Sequence, residues 1–221
     1  MINVFSVPET FLKYDLALEL LFALITGLLA AMAFGIYRMS RHYQAKFFGA
    51  AFTLISVSYL AQGLTSIFII TPLDESIDLA SDALTLTDVN NLGANMHILL
   101  FTAGLVTLAY MTMGVRNWKV YTAIMLASTL GFVMSSNRLL FFYMLSVILF
   151  ALVAYHYLVN YLRQRSVEAL IVTIAFILLF IRSVYFVFSI GSETAYIIAR
   201  VSAFAAYLLI LVNLVRVKKN G

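Results

Sequence analysis

The chain has 221 residues, 63% of them hydrophobic and only 11% charged, with a mean hydropathy of +1.00 and a formal net charge of +4. A water-soluble domain carries roughly 25% charged residues, so this chain cannot cover a water-facing surface, and a soluble globular enzyme is excluded. Disorder is excluded as well, because it requires few aromatics and the chain holds 18 Phe and 13 Tyr.

Near the start, Ser6-Val7-Pro8-Glu9 has capping-box spacing, with Ser at the cap and Glu three residues later, so the first helix is expected to begin outside the bilayer. Long apolar runs follow at 16–37, 47–70, 92–113, 118–135, 139–161, 167–190 and 194–216. Each is close to the ~20 residues that cross a hydrocarbon core of ~30 Å as a helix. They are too long and too evenly apolar for barrel strands, which alternate over about ten residues. The expected fold class is all-α: a polytopic integral membrane protein, one domain over 1–221 built as a seven-transmembrane-helix bundle. The fourth run is the shortest and carries Thr122, Ser128 and Thr129. The longest connection, the acidic loop 71–91, places Leu73, Ile77, Ala80 and Leu84 at helical spacing, with Asp74, Glu75, Asp78 and Asp82 on other faces. That pattern predicts an acidic helix over the outer end of the bundle. Its carboxylates do not match a calcium-loop spacing and read as a solvated face.

Charge orients the bundle. Ten of the fourteen Lys and Arg lie in three connections and the tail: Arg38, Arg41, Lys46, Arg116, Lys119, Arg163, Arg165, Arg216, Lys218 and Lys219. Nine of the ten acids, all but Glu168, fall in or near the opposite side. Short basic loops stay cytoplasmic, which predicts an N-terminus outside, a C-terminus in the cytoplasm, and a multi-pass protein of the cell membrane. The pI of about 9.3 is then an orientation signal. Nucleic acid is not an expected partner, because the basic residues are spread over four short segments. The segment before the first span is acidic on balance, with Glu9 and Asp15 against Lys13, and the apolar run is too long for a cleaved signal. Without cysteine there is no disulfide, thiolate nucleophile or Cys-bound metal. No Asn-x-Ser/Thr site occurs, in keeping with a prokaryotic source.

An offset of 120 residues overlays the first two spans on the fifth and sixth, matching Tyr37 to Tyr157, Gln44 to Gln164, Thr53 to Thr173, Phe68 to Phe188 and Ile70 to Ile190. Gln62 then meets Arg182, the strongly polar position of each span. The topology implied is a 3+1+3 parallel repeat, a form in which transporters place their site at the repeat interface. It is similar in order to sugar transporters that bend helices at proline, but Pro8 and Pro72 both lie outside the spans. Microbial rhodopsins need a lysine within the seventh helix, where this chain has Arg200. The short basic inner loops and unbroken helices resemble the membrane input halves of prokaryotic signalling proteins.

Ionisable residues within spans are costly and mark candidate sites. Arg182 is eight residues from the outer end of its span, hence ~12 Å deep, with Gln62 at the same depth. Arg200, Asn95, His97 and Glu19 lie within the same outer third, and Tyr59, Ser66, Tyr185 and Ser189 extend those faces at helical spacing. Two arginines and His97 against one intraspan carboxylate, Glu19, make this layer net positive. The arginine fork suits carboxylate or phosphate, so an anionic small molecule or lipid headgroup is one expectation. The other is purely structural: Glu19 pairs with Arg182 or Arg200, and Gln62 and Asn95 bond across helices. No cofactor is expected. His42, His97 and His156 sit at different depths and cannot share a metal or a haem iron. No nucleophile triad, phosphate loop or paired carboxylates stand out, so the protein is expected not to be an enzyme.

The sequence therefore points to a non-enzymatic membrane protein that recognises a ligand, lipid or membrane partner through the outer polar layer. It would be a sensor-like module or an accessory subunit. Its partners are the lipid bilayer, an anionic ligand or lipid headgroup, and a membrane-protein partner or a second copy of itself. The alternative is a small transporter of an anionic or amphipathic solute. Transport requires a polar route through the inner half, where the spans offer only His156 and Asn213.

Overall fold

The computed structural model describes residues 12–70, 79–114, 117–189 and 192–220. All the described elements are helices: α1 (Leu12–Ser40), α2 (Tyr43–Ile70), α3 (Leu79–Met113), α4 (Trp118–Met134), α5 (Arg138–Gln164), α6 (Val167–Phe188) and α7 (Glu193–Asn220). None has proline in its interior, so nothing interrupts the backbone ladder. Where the chain turns, local chemistry ends or starts a helix. Arg41 at φ 58° and Arg165 at φ 50° take the left-handed conformation after α1 and α5. Asn137 and Ser166 accept from Leu140 N and Ala169 N, capping α5 and α6.

Six helices, all but α4, are long and apolar enough to cross a membrane. Their outward faces are apolar as well, with Leu24, Leu28, Leu60, Leu64, Ile148, Leu152 and Val201 exposed. Soluble monomers rarely expose contiguous apolar surface of this kind; hydrocarbon is the solvent that suits it. α4, at 17 residues, falls short of the other six. Among the described residues it packs against α3 and α5 alone, and it returns the chain between the ends of those two parallel helices.

The other six close a ring, α1–α2–α3–α5–α6–α7 and back to α1. Packing is dense within α1–α2–α3 and within α5–α6–α7, and sparser at the two seams where α3 meets α5 and α7 meets α1. The ring has an acidic end, where α1, α3, α5 and α7 begin, and a basic end, where Arg38, Arg41, Lys46, Arg163, Arg165 and Arg216 are exposed. Its middle is filled by buried aromatic rings: Phe22, Phe52, Tyr59, Phe101, Phe150 and Tyr207.

The helices depart from the predicted runs in one informative place. α3 starts at Leu79, so residues 79–91 are the first turns of that helix and not a separate element lying across the bundle. The Ser6–Glu9 capping box, Leu73, Ile77 and both prolines lie outside the described residues.

Candidate functional site

The charged cluster assembles at the acidic end from α1, α2, α6 and α7. Arg200 of α7 is 8% exposed, and its Nη2 stands 2.5 Å from Asp15 Oδ1 and 3.8 Å from Glu19 Oε1, both on α1. The same guanidinium donates from Nε and Nη2 to Tyr196 Oη, one turn earlier, at 3.0 and 2.8 Å. Glu19 is also buried, and its other oxygen accepts from Ser66 Oγ of α2 at 3.2 Å. The pair thus joins α1 to α7 across one of the two seams.

Arg182 of α6 is held differently. Its Nη2 donates to Tyr59 Oη at 3.0 Å, and the guanidinium lies 5.1 Å from the Phe101 ring centroid and 5.0 Å from that of Phe186. Such faces attract a cation through the ring quadrupole. Among the described residues no carboxylate comes within ion-pair distance of Arg182, and its Nε has no hydrogen-bond partner. Tyr59 Oη also lies 3.3 Å from Tyr207 Oη. His97 Nδ1 is 3.0 Å from the Ser58 carbonyl oxygen. A carbonyl only accepts, so that nitrogen carries the proton. The His97 ring packs against Tyr59, Phe101 and Phe142.

Of the residues singled out from sequence, Arg182, Arg200, Glu19, Tyr59 and His97 are brought into or against this cluster. Gln62 is buried at 7% exposure, with Oε1 unpartnered among the described residues. Asn95 is half-buried on α3, and no hydrogen bond among the described residues joins it to the cluster. Tyr185 does not belong: it is 36% exposed, whereas Phe186, one residue on, faces Arg182. At 100° per residue the cluster lies on the i+4 side of Arg182, not the i+3 side. Ser189 is spent on its own helix end, donating to the Phe186 carbonyl.

One correction changes the electrostatics. From the sequence, Asp15 falls in the segment before the first span, which leaves the layer a single carboxylate. α1 starts at Leu12, so Asp15 is buried at 6% exposure and ion-paired. The layer holds two buried carboxylates, both beside Arg200, for two buried arginines, so the predicted excess of positive charge is absent. Glu193 is exposed, and the acids beside Arg200 come from α1.

At the basic end a cavity of about 650 Å³ opens where all six ring helices contribute. Its polar lining is Gln44, Thr112, His156, Asn160, Gln164 and Asn213. Gln44 and Gln164 are exposed at its mouth, while Thr112 and Asn213 are buried deeper. Asn213 is 6% exposed and its Oδ1 has no hydrogen-bond partner among the described residues. The sequence marks His156 and Asn213 as polar positions of this half; Gln44 and Gln164 stand at helix ends, where polar residues carry no signal of a site. Tyr207 lies between the two compartments, ~10 Å along α7 from Arg200 and ~9 Å from Asn213. Among the described residues, no three His, Asp or Glu side chains are grouped to hold a metal ion.

No protein-family model, curated protein or solved structure matches the chain. The class that its sequence and fold define is accordingly coarse: a helical bundle with six helices able to cross a membrane.

Proposed function

We propose that the protein is a small transporter of the cell membrane, with its basic end in the cytoplasm, its N-terminus outside and seven crossings. One observation carries this: the ring is closed at the acidic end by the Arg200–Asp15 pair and through its middle by packed aromatic rings, and it opens at the basic end in a cavity with polar side chains in its wall. A solute path closed on one side and open on the other is one half of an alternating cycle. Support comes also from the two dense three-helix halves joined by α4, the arrangement in which a 3+1+3 repeat would rock about its interface. Recognition through the outer layer, as a sensor-like or accessory module, is favoured from sequence by a mostly apolar inner half; the polar side chains that line the cavity there support transport instead.

The chain has no cysteine, so single thiols are unique reporters. In the parent background, an Asn213→Cys thiol is expected to react with a water-soluble maleimide and a Gln62→Cys thiol is not. Combining either with Asp15→Asn, Glu19→Gln and Arg200→Gln removes the charges of the clasp while keeping its polar groups. Transport predicts a reciprocal change: Gln62→Cys becomes reactive and Asn213→Cys slows. If both rates stay unchanged, or both rise, the protein does not alternate, and a fixed recognition bundle is the better description.

A further inference from the structure

We infer that the cavity at the basic end is a binding site for an uncharged small molecule that both donates and accepts hydrogen bonds. Its volume of about 650 Å³ falls within the ~300–1,000 Å³ of small-molecule sites. Its walls combine apolar and aromatic surface, including Phe48, Tyr157 and Ile210, with side chains that offer both donors and acceptors: Gln44, Asn160, Gln164 and Asn213. No Asp, Glu, Lys or Arg lines it. Apart from His156, a charged solute entering there would meet no counter-charge for the water it sheds, which is costly. A neutral hydrogen-bonding solute would exchange water for amides at little loss.

Asn213 shows where such a solute is anchored. It stands on α7, buried, in a stretch that is otherwise apolar or small from Ser202 to Leu214, and its Oδ1 has no partner among the described residues. A buried polar atom left unpaired lowers stability, and an apolar residue of like size would suit the fold better. Asn213 also lines the cavity, so its amide is a buried polar group beside which a hydrogen-bonding ligand would sit. Arg38, Lys46, Arg163 and Arg216 adjoin lining residues but are exposed to solvent at the rim, where salt screens them over ~8–10 Å. They draw anions toward the mouth without neutralising one inside. The inference rests on the transport proposal only in taking the occupant for the solute carried.

The test uses the full chain in lipid nanodiscs, with a Gln164→Cys thiol at the mouth as reporter and Arg163→Cys outside the cavity as control. Two size-matched pairs serve as probes: glucose with gluconate, and nicotinamide with nicotinate. At least one neutral member is expected to slow maleimide labelling of Gln164→Cys but not of Arg163→Cys, with its anion weaker. Adding Asn213→Leu should raise the half-protecting concentration roughly three- to tenfold, the worth of one hydrogen bond. That variant should melt at the same temperature or higher, which a structural role for Asn213 would not allow. Asn160→Leu, on α5, is a second variant, with the same expected loss. The site assignment fails if no probe protects at any soluble concentration, or if the anions protect as well as their neutral partners. Protection without the reciprocal thiol change described above would keep the site and reject transport.

Discussion

Arg200 is the residue on which the acidic end depends. Removing one member of a buried ion pair strands the others, at a cost of about 3–5 kcal/mol. Arg200→Gln, which leaves Asp15 and Glu19 facing each other, should lose stability in that range when unfolded in mixed micelles and followed by circular dichroism. The uncharged triple variant Asp15→Asn, Glu19→Gln, Arg200→Gln should recover most of it, since all the charges leave together. Full loss in the triple variant would mean that the ion pair is not the source. Tyr59 offers a second test, because its hydroxyl serves both Arg182 and Tyr207. Tyr59→Phe should cost about 1–3 kcal/mol, and Tyr59→Phe with Tyr207→Phe less than the sum of the two singles, as expected for groups in one network. At this scale the sequence revealed the arginines, Glu19 and His97 through the cost of burying them. It did not reveal Asp15, whose burial depends on where α1 begins, nor the outward turn of Tyr185, since an i+3 position and an i+4 position differ by 100° around the helix.

At the scale of elements, apolar runs predicted every described helix, because a run that must satisfy its own backbone in hydrocarbon has few alternatives to a helix. The extension of α3 back to Leu79 was not legible: polar residues beyond the bilayer carry no depth signal, and helical spacing alone does not say whether a segment lies across a bundle or continues a span. Close packing within α1–α2–α3 depends on small residues. A Cβ on Gly104 of α3 would meet Ile55 Cγ1 at 2.7 Å and the Ala51 carbonyl oxygen at 2.9 Å, and the backbone atom cannot swing aside. Gly104→Ala is therefore expected to destabilise by about 1–3 kcal/mol, the usual cost of overpacking. Gly35 of α1 has nothing within 4 Å of the same position. Gly35→Ala should gain up to about 1 kcal/mol from helix propensity. The two variants make the same chemical change, so opposite shifts in the unfolding midpoint would locate the effect in helix–helix contact. Equal shifts would reject it.

For the whole molecule, the cavity was beyond sequence reasoning because it takes only one to four residues from each of six helices. Gln44, Asn160 and Gln164 are unremarkable one at a time at span ends; only the ring brings them together. The sequence separates an acidic end from a basic end, and the ring keeps that separation; the weight of the proposal lies at the basic end, where the ring is open and its lining is uncharged. Orientation decides what that opening means. With the basic end inside, the cavity opens to the cytoplasm; with the basic end outside, it would be an extracellular receptor site and the transport proposal would need a different resting state. Exposed positions at opposite ends settle this directly: Glu193 begins α7 at the acidic end and Arg163 closes α5 at the basic end. In intact cells a membrane-impermeant maleimide is expected to label Glu193→Cys and to reach Arg163→Cys only after lysis. Neither substitution leaves the remaining charge bias in doubt, because the basic end keeps Arg38, Arg41, Lys46, Arg165 and Arg216. The reverse pattern would overturn both the orientation and the cytoplasmic opening. Labelling of both sites in intact cells would instead contradict a crossing by α6, the one helix between Arg163 and Glu193.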